Sequence, residues 1–239
     1  MRQGLHRIRF AFPKSDRLAF LGHLEVISTI ERSIRRADLP FAVSNGFARR
    51  MKVQFSSALP VGVSSKAEYF DLFLTEHLDE EHVLDLLGRY SPTALRPFAA
   101  AYVDGSLPAL EAWLDRSSWM LDLGTSTDAD AFEEGVRRLR EQGSFTYMRG
   151  TKPKTVYVGE SYVSHGLVAS DGRLMLDLET LILPTGAMRP EAFVRACYGL
   201  SDQPDSAPEY LRCVRLAQYH LDDGNLVEPF QVSLPKLVD

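Results

Sequence analysis

The sequence predicts an α+β protein built from two tandem ferredoxin-like (βαββαβ) units with antiparallel sheets. Three observations predict it. Short apolar runs alternate with period two, and longer ones recur at helical spacing. The first runs follow one another in the order βαββαβ, and after a linker near residue 110 that order begins again. The predicted units are residues 1–106, carrying a basic helix and loop, and residues 107–239, ending in an irregular tail from Asp222 onward.

The first strand is Leu5 to Phe12, with Ile8, Phe10 and Phe12 on one face and Arg7 and Arg9 on the other. A helix follows from Gly22 to Ala37. Ile27, Ile30, Ile34 and Ala37 make its apolar stripe, and Arg32, Arg35 and Arg36 lie opposite. Leu39-Pro40 ends it, because the residue before a proline is biased away from the α region. Ser44-Asn45-Gly46 reads as a turn, and Met51, Val53 and Phe55 alternate with Lys52, Gln54 and Ser56 as the second strand. Ala67 to Leu74 is the third strand, Asp79 to Leu87 a helix capped by Asp79, and Leu95 to Val103 the fourth strand.

Residues 105–116 read as a linker containing a short helix, Leu107 to Leu114. Beyond it come a strand at Trp119 to Leu123 and a helix at Asp128 to Gln142. Strand pieces at Phe145–Met148 and Thr155–Val158 flank a basic turn; they are middle strands of the second unit or a separate hairpin. Leu174 to Leu178 is a strand, Arg189-Pro190-Glu191 opens a helix with proline in its first turn, and Leu211 to His220 is the last strand.

The composition is that of an ordinary soluble globular protein, 45% hydrophobic and 25% charged. No apolar run is long enough to span a bilayer, and the start lacks the apolar core of a signal peptide, so no membrane partner and a cytoplasmic location are expected. Cys197 and Cys213 are the only cysteines. With no CxxC pair and no metal-ligand spacing among the six histidines, no metal and no cofactor are expected. The phosphate-cradling P-loop, the dinucleotide GxGxxG and the GxSxG elbow are absent.

The main functional clue is charge. Between Arg32 and Lys52 stand six basic residues and one acid, Asp38, in a chain of net charge −5. Such a cluster points to an anionic partner. Arg32, Arg35 and Arg36 come from the helix; Arg49, Arg50 and Lys52 come from the next loop and strand. If the sheet face opposite the helix is open, Arg7, Arg9 and Lys52 line it, with Tyr69 as a stacking ring, the way RNA-recognition modules hold single strands. Arg149, Lys152 and Lys154 in the second-unit turn extend that surface or are an ordinary solvated hairpin. The bland alternative for the cluster is a solvated helix face paired with Glu25 and Glu31. His23, in the first helical turn beside the arginines, is the one candidate catalytic residue, as a general acid or base in RNA cleavage; otherwise it orders the helix start.

The stretch from Gly22 to Asp71 carries Gly22-His23-Leu24-Glu25, Glu31-Arg32, Arg35-Arg36-Ala37, Leu39-Pro40, Gly46-Phe47, Leu59-Pro60-Val61-Gly62-Val63-Ser64 and Ala67-Glu68-Tyr69. In these it resembles the radical-SAM-linked protein family, an uncharacterised bacterial family found beside, or fused to, a B12-binding radical SAM protein. Thr151-Lys152 and Arg189-Pro190 match later landmarks. Where that family follows Gly-Phe with Asn-Pro-His-Pro, this chain has Ala48, Arg49, Arg50 and Met51. The resemblance implies a radical SAM partner acting on RNA of the translation machinery. The chain lacks the three-cysteine cluster motif, so it is not itself that enzyme. The function expected is an RNA-binding accessory protein that presents structured RNA, tRNA or rRNA, to the partner and has no turnover of its own. The alternatives are a metal-independent endoribonuclease using His23 and a subunit that docks the partner without touching RNA.

Overall fold

The computed structural model describes residues 4–125, 128–184 and 186–230. Within them the chain is a mixed α+β protein with six α-helices, in two compact units. One unit takes the residues up to Asp115 and again from Ala217; the other is continuous from Arg116 to Leu216. The division expected at residue 106 thus falls at Asp115, and the segment from Ala217 belongs with the first unit.

The first unit runs β1 (His6–Lys14), α1 (His23–Arg36), β2 (Val53–Phe55), β3 (Ser64–Leu74), α2 (Glu80–Tyr90), β4 (Ala99–Tyr102) and α3 (Leu110–Trp113). β1 pairs antiparallel with both β3 and β4, and β2 pairs antiparallel with β3. The register sets Ile8 opposite Leu72 and Phe10 opposite Phe70, so these four apolar residues share one face. That face is the core, closed by Val26, Ile30 and Ile34 of α1 and by Val83 and Leu87 of α2. Val26, not the expected Ile27, heads the α1 stripe; Ile27 is only half-buried. At the start of α1, Glu25 accepts the Gly22 N–H at 2.7 Å, half of a capping box, since glycine has no side chain to return the bond. At its end Asp38 takes a left-handed φ of 51°, and Leu39-Pro40 turns the chain away.

The second unit contains β5 (Arg116–Gly124), α4 (Ala129–Gln142), β6 (Ser144–Arg149), β7 (Lys152–Tyr157), α5 (Val158–Ser161), β8 (Tyr162–Ser170), β9 (Arg173–Leu181) and α6 (Pro190–Leu200). β10 (Arg212–Asp222) begins in it and ends in the first unit, where it pairs with β11 (Asn225–Val227). β9 pairs with β5 and with β8. β6 and β7 form a two-stranded sheet of their own, the separate hairpin of the two expected possibilities. α4 and α6 pack closely enough that glycine is required at one point: a Cβ on Gly135 would lie 2.1 Å from the Cys197 carbonyl oxygen. No helix among the described residues is long and apolar enough to cross a membrane.

Candidate functional site

The basic residues that look alike in the sequence separate into three environments. Arg7 and Arg9 project from β1 on the face away from the core, as their alternation requires. That face is not open. Both guanidiniums are buried, and both converge on the buried Asp71 of β3. Arg7 Nε donates to Asp71 Oδ2 at 2.8 Å, and Arg9 donates to both carboxylate oxygens, at 2.7 and 3.0 Å. Further N–H groups reach backbone carbonyls, Arg7 donating to Leu107 and Pro108 and Arg9 to Pro229, and Arg7 also donates to Gln54 Oε1 at 3.4 Å. Trp113 of α3 stacks under the Arg9 guanidinium, 4.9 Å from centroid to carbon. Tyr69 on the same face is buried too, its ring edge-on to Phe230. Burial foremost, then the charges of Glu228 and Glu68, pushes its phenol up to about 12. The expected RNA face is therefore covered by residues 107–113 and 228–230, and Arg7, Arg9 and Tyr69 do not form a surface. The physical reason is Asp71: two buried arginines need a buried anion and carbonyl acceptors, and the covering segments supply the carbonyls.

The second environment is the loop after α1. Phe41 bridges Leu74, Ala42 donates to the Phe73 carbonyl, and β2 resumes the pairing with β3, so residues 43–51 are an excursion from the sheet edge. Val43 bridges Met51 at its base. Ser44 N–H donates to the Arg50 carbonyl at 2.8 Å, Arg50 N–H donates to Ser44 Oγ at 3.1 Å, and Arg49 N–H donates to the Gly46 carbonyl at 3.1 Å. The last bond closes a turn that holds Arg49 at a left-handed φ of 38°. This bonded tip presents Phe47, at 109% relative exposure, with Arg49 and Arg50, both exposed. Lys52 is exposed at the base, its ammonium 4.3 Å from the centroid of Phe73. Phe47 is absent from the sequence-predicted site. Its signal was present: an aromatic directly after an Asn-Gly turn and two residues before a basic pair.

The third environment is the outer face of α1. Arg35 pairs with Glu31 at 3.0 Å, one turn earlier, as the bland reading expects. Arg32 and Arg36 line a cleft of about 430 Å³ with Thr29 and, from the end of α2, Arg89, Tyr90 and Ser91. Arg32 donates to the Thr29 hydroxyl at 3.2 Å.

His23 is half-buried at the first turn of α1, edge-on to Phe55. It lines a small cavity with Lys14, Glu68, Phe12, Phe55 and Leu59. The free volume, about 10 Å³, holds about one water.

In the second unit, Arg149 and Lys152 face each other across the exposed end of the β6–β7 hairpin. Lys154 is half-buried and donates to the Ala187 carbonyl at 3.3 Å, and burial, then Arg149, holds its pKa below the usual lysine value. A hydrogen-bonded chain missed in the sequence also lies there: Tyr162 Oη to His165 Nδ1 at 2.7 Å, and His165 Nε2 to Glu133 at 3.1 Å. Among the described residues no group of three or more His, Cys, Asp or Glu side chains is placed to hold a metal.

No curated protein matches the chain. Among solved structures, one described as "Crystal Structure of an Unknown Protein from Galdieria sulphuraria" is similar over 74% of this chain and 81% of its own, at 8% identity and a TM-score of 0.27. Residues 7–163, a span that takes in the arginine pair, the exposed loop and the cleft, match the family described as "Uncharacterized protein conserved in bacteria (DUF2344)", and the chain belongs to that family.

Proposed function

We propose that this chain is an RNA-binding accessory protein that holds a structured RNA, tRNA or rRNA, for a radical SAM partner enzyme. One observation carries the RNA half: Phe47 stands wholly in solvent on a hydrogen-bonded tip beside Arg49 and Arg50. A nucleobase can stack on such an exposed ring while the flanking guanidiniums meet phosphates. The radical SAM half rests on the sequence resemblance alone. We further read each unit as built on the βαββαβ order. In the first, β2, β3, β1 and β4 are successive neighbours; in the second, the β6–β7 hairpin is an insertion between α4 and β8.

The test is fluorescence anisotropy of a labelled single-stranded RNA and of a tRNA, titrated with the full chain between 50 and 300 mM KCl. Binding that weakens steeply with salt and is lost in Phe47→Ala/Arg49→Ala/Arg50→Ala supports the reading; no binding at the lowest salt rejects it. Copurification with a radical SAM protein from a native source tests the partner half separately.

An endoribonuclease centred on His23 needs space for a scissile phosphate, and the cavity at His23 has room for about one water. Docking of the partner without RNA has one observation in its favour. Phe20 and Leu24 are exposed around the start of α1, and Phe20 lies beside Gly62, next to the exposed Val61. Partner binding that survives loss of the Phe47 tip and fails in Phe20→Glu/Leu24→Glu assigns docking to that patch.

A further inference from the structure

We propose that the cleft between the ends of α1 and α2 binds a phosphomonoester of mononucleotide size. It differs from the Phe47 tip in residues and in the chemical group it recognises, a phosphomonoester, and stands whether or not the tip binds RNA. Arg32 and Arg36 enter from the last turns of α1 and Arg89 from the last turn of α2. All three side chains are exposed and border one space of about 430 Å³, within the range of small-ligand pockets. None of the residues lining it is acidic. A carboxylate meets only Arg89 of the three in any bond found among the described residues: Asp85, at 2.5 Å.

Two helix C-termini end here, and each contributes about half a negative charge, which disfavours an anion. Adding Asp85 to those two ends gives about −2, so three guanidiniums leave the cleft with about one positive charge. The planar forks suit the oxygens of a phosphate dianion better than a lysine cluster would. The hydroxyls already have local acceptors, Thr29 to Glu25, Ser33 to Thr29 and Ser91 to Leu87. Each retains lone pairs, and recognition of the phosphate falls to the arginines. Tyr90 is about half exposed at the same wall, and its ring offers a base a stacking face.

The phosphate has two possible sources, a free nucleotide or the terminal phosphate of an RNA. The experiment is calorimetric titration of the full chain at 50 mM salt with AMP, adenosine, and a hexaadenylate bearing either a 5′-phosphate or a 5′-hydroxyl. The expected result is AMP binding at least tenfold tighter than adenosine, a preference abolished in Arg36→Gln/Arg89→Gln and retained in Phe47→Ala. Preference for the 5′-phosphorylated RNA over its hydroxyl form assigns the site to an RNA end; AMP binding without that preference assigns it to a free nucleotide. Should the double variant melt earlier than the parent, Arg32→Gln and Arg36→Lys each read the same preference singly, and each is expected to reduce it several-fold. AMP binding no tighter than adenosine, or a preference untouched by every one of these substitutions, overturns the proposal.

Discussion

The first unit holds two sets of arginines that read alike as letters and behave in opposite ways. Arg7 and Arg9 are buried and bonded in the interior, to one carboxylate, three backbone carbonyls and the Gln54 amide oxygen, with the rings of Phe73 and Trp113 against them. Arg32, Arg36, Arg49 and Arg50 stand in solvent. The difference lies in the third strand: Asp71 is directly across from Arg9, and an arginine facing a buried carboxylate becomes part of the interior. The exposed set has no such partner in register, and its charge remains available to a ligand.

The sharpest way to break this comparison is Asp71→Ala, which leaves two buried guanidiniums without their anion. It is expected to destabilise the protein by about 3–5 kcal/mol in urea unfolding. A loss below about 1 kcal/mol means that the buried pair is not what holds the covering segments. Next in size is the triple change Arg49→Ala/Arg50→Ala/Lys52→Ala. It is expected to flatten the log-affinity versus log-salt plot for single-stranded RNA by about two units, at about 0.7 per phosphate contact. The control is Arg137→Ala/Arg138→Ala/Arg140→Ala on α4. There Arg137 already meets Glu134 and Glu141, and Arg138 meets Glu134 and Asp202. Equal losses from the two triples would reduce the tip to diffuse attraction.

Phe47→Ala is expected to weaken RNA binding by about 1–3 kcal/mol, the worth of one stacked base, and to leave stability within about 0.5 kcal/mol. A large drop in melting temperature instead would mean that the ring packs within the protein in solution. The smallest effect is confined to alkaline pH. The phenol of Tyr69 is raised in the folded state from 10.0 to about 12, so its contribution to stability is fully present below pH 10 and fades as the pH climbs towards 12. Tyr69→Phe should make stability less steep across that window, and absorbance titration should show one fewer tyrosine ionising late. An unchanged titration would place Tyr69 back on an open surface.

Much of the fold was legible. In the first unit the expected strands and helices match β1, α1, β2, β3, α2 and β4 to within a few residues. In β1 and β3 both faces are buried, but the core face takes Ile8, Phe10, Phe70 and Leu72 while the other takes Arg7, Arg9 and Asp71, so the alternation is still readable. β8 was not legible. Its residues are half-buried or exposed on both faces, so Tyr162 to Ser170 carries no alternation to read. The candidate site was legible as charge and illegible as geometry. Arg7 and Arg9 were placed on the right face of the right strand, but what covers that face comes from Leu107, Pro108 and Pro229, about 100 and 220 residues away along the chain. Arg89 was missed because it joins Arg32 and Arg36 only when α1 and α2 end beside each other.

The bond from Arg9 to the Pro229 carbonyl has a consequence for how the protein is made. The second unit is one unbroken stretch and is complete once Leu216 has left the ribosome; the first unit begins earlier and cannot close until Pro229 emerges. Until then the Arg9 N–H that donates to the Pro229 carbonyl lacks that acceptor, on a sheet face that later carries Phe230. The nascent chain therefore passes through an interval in which the unit synthesised first is the last to be finished, and a stalled or truncated product would expose a charged, aromatic sheet face that the mature protein keeps hidden.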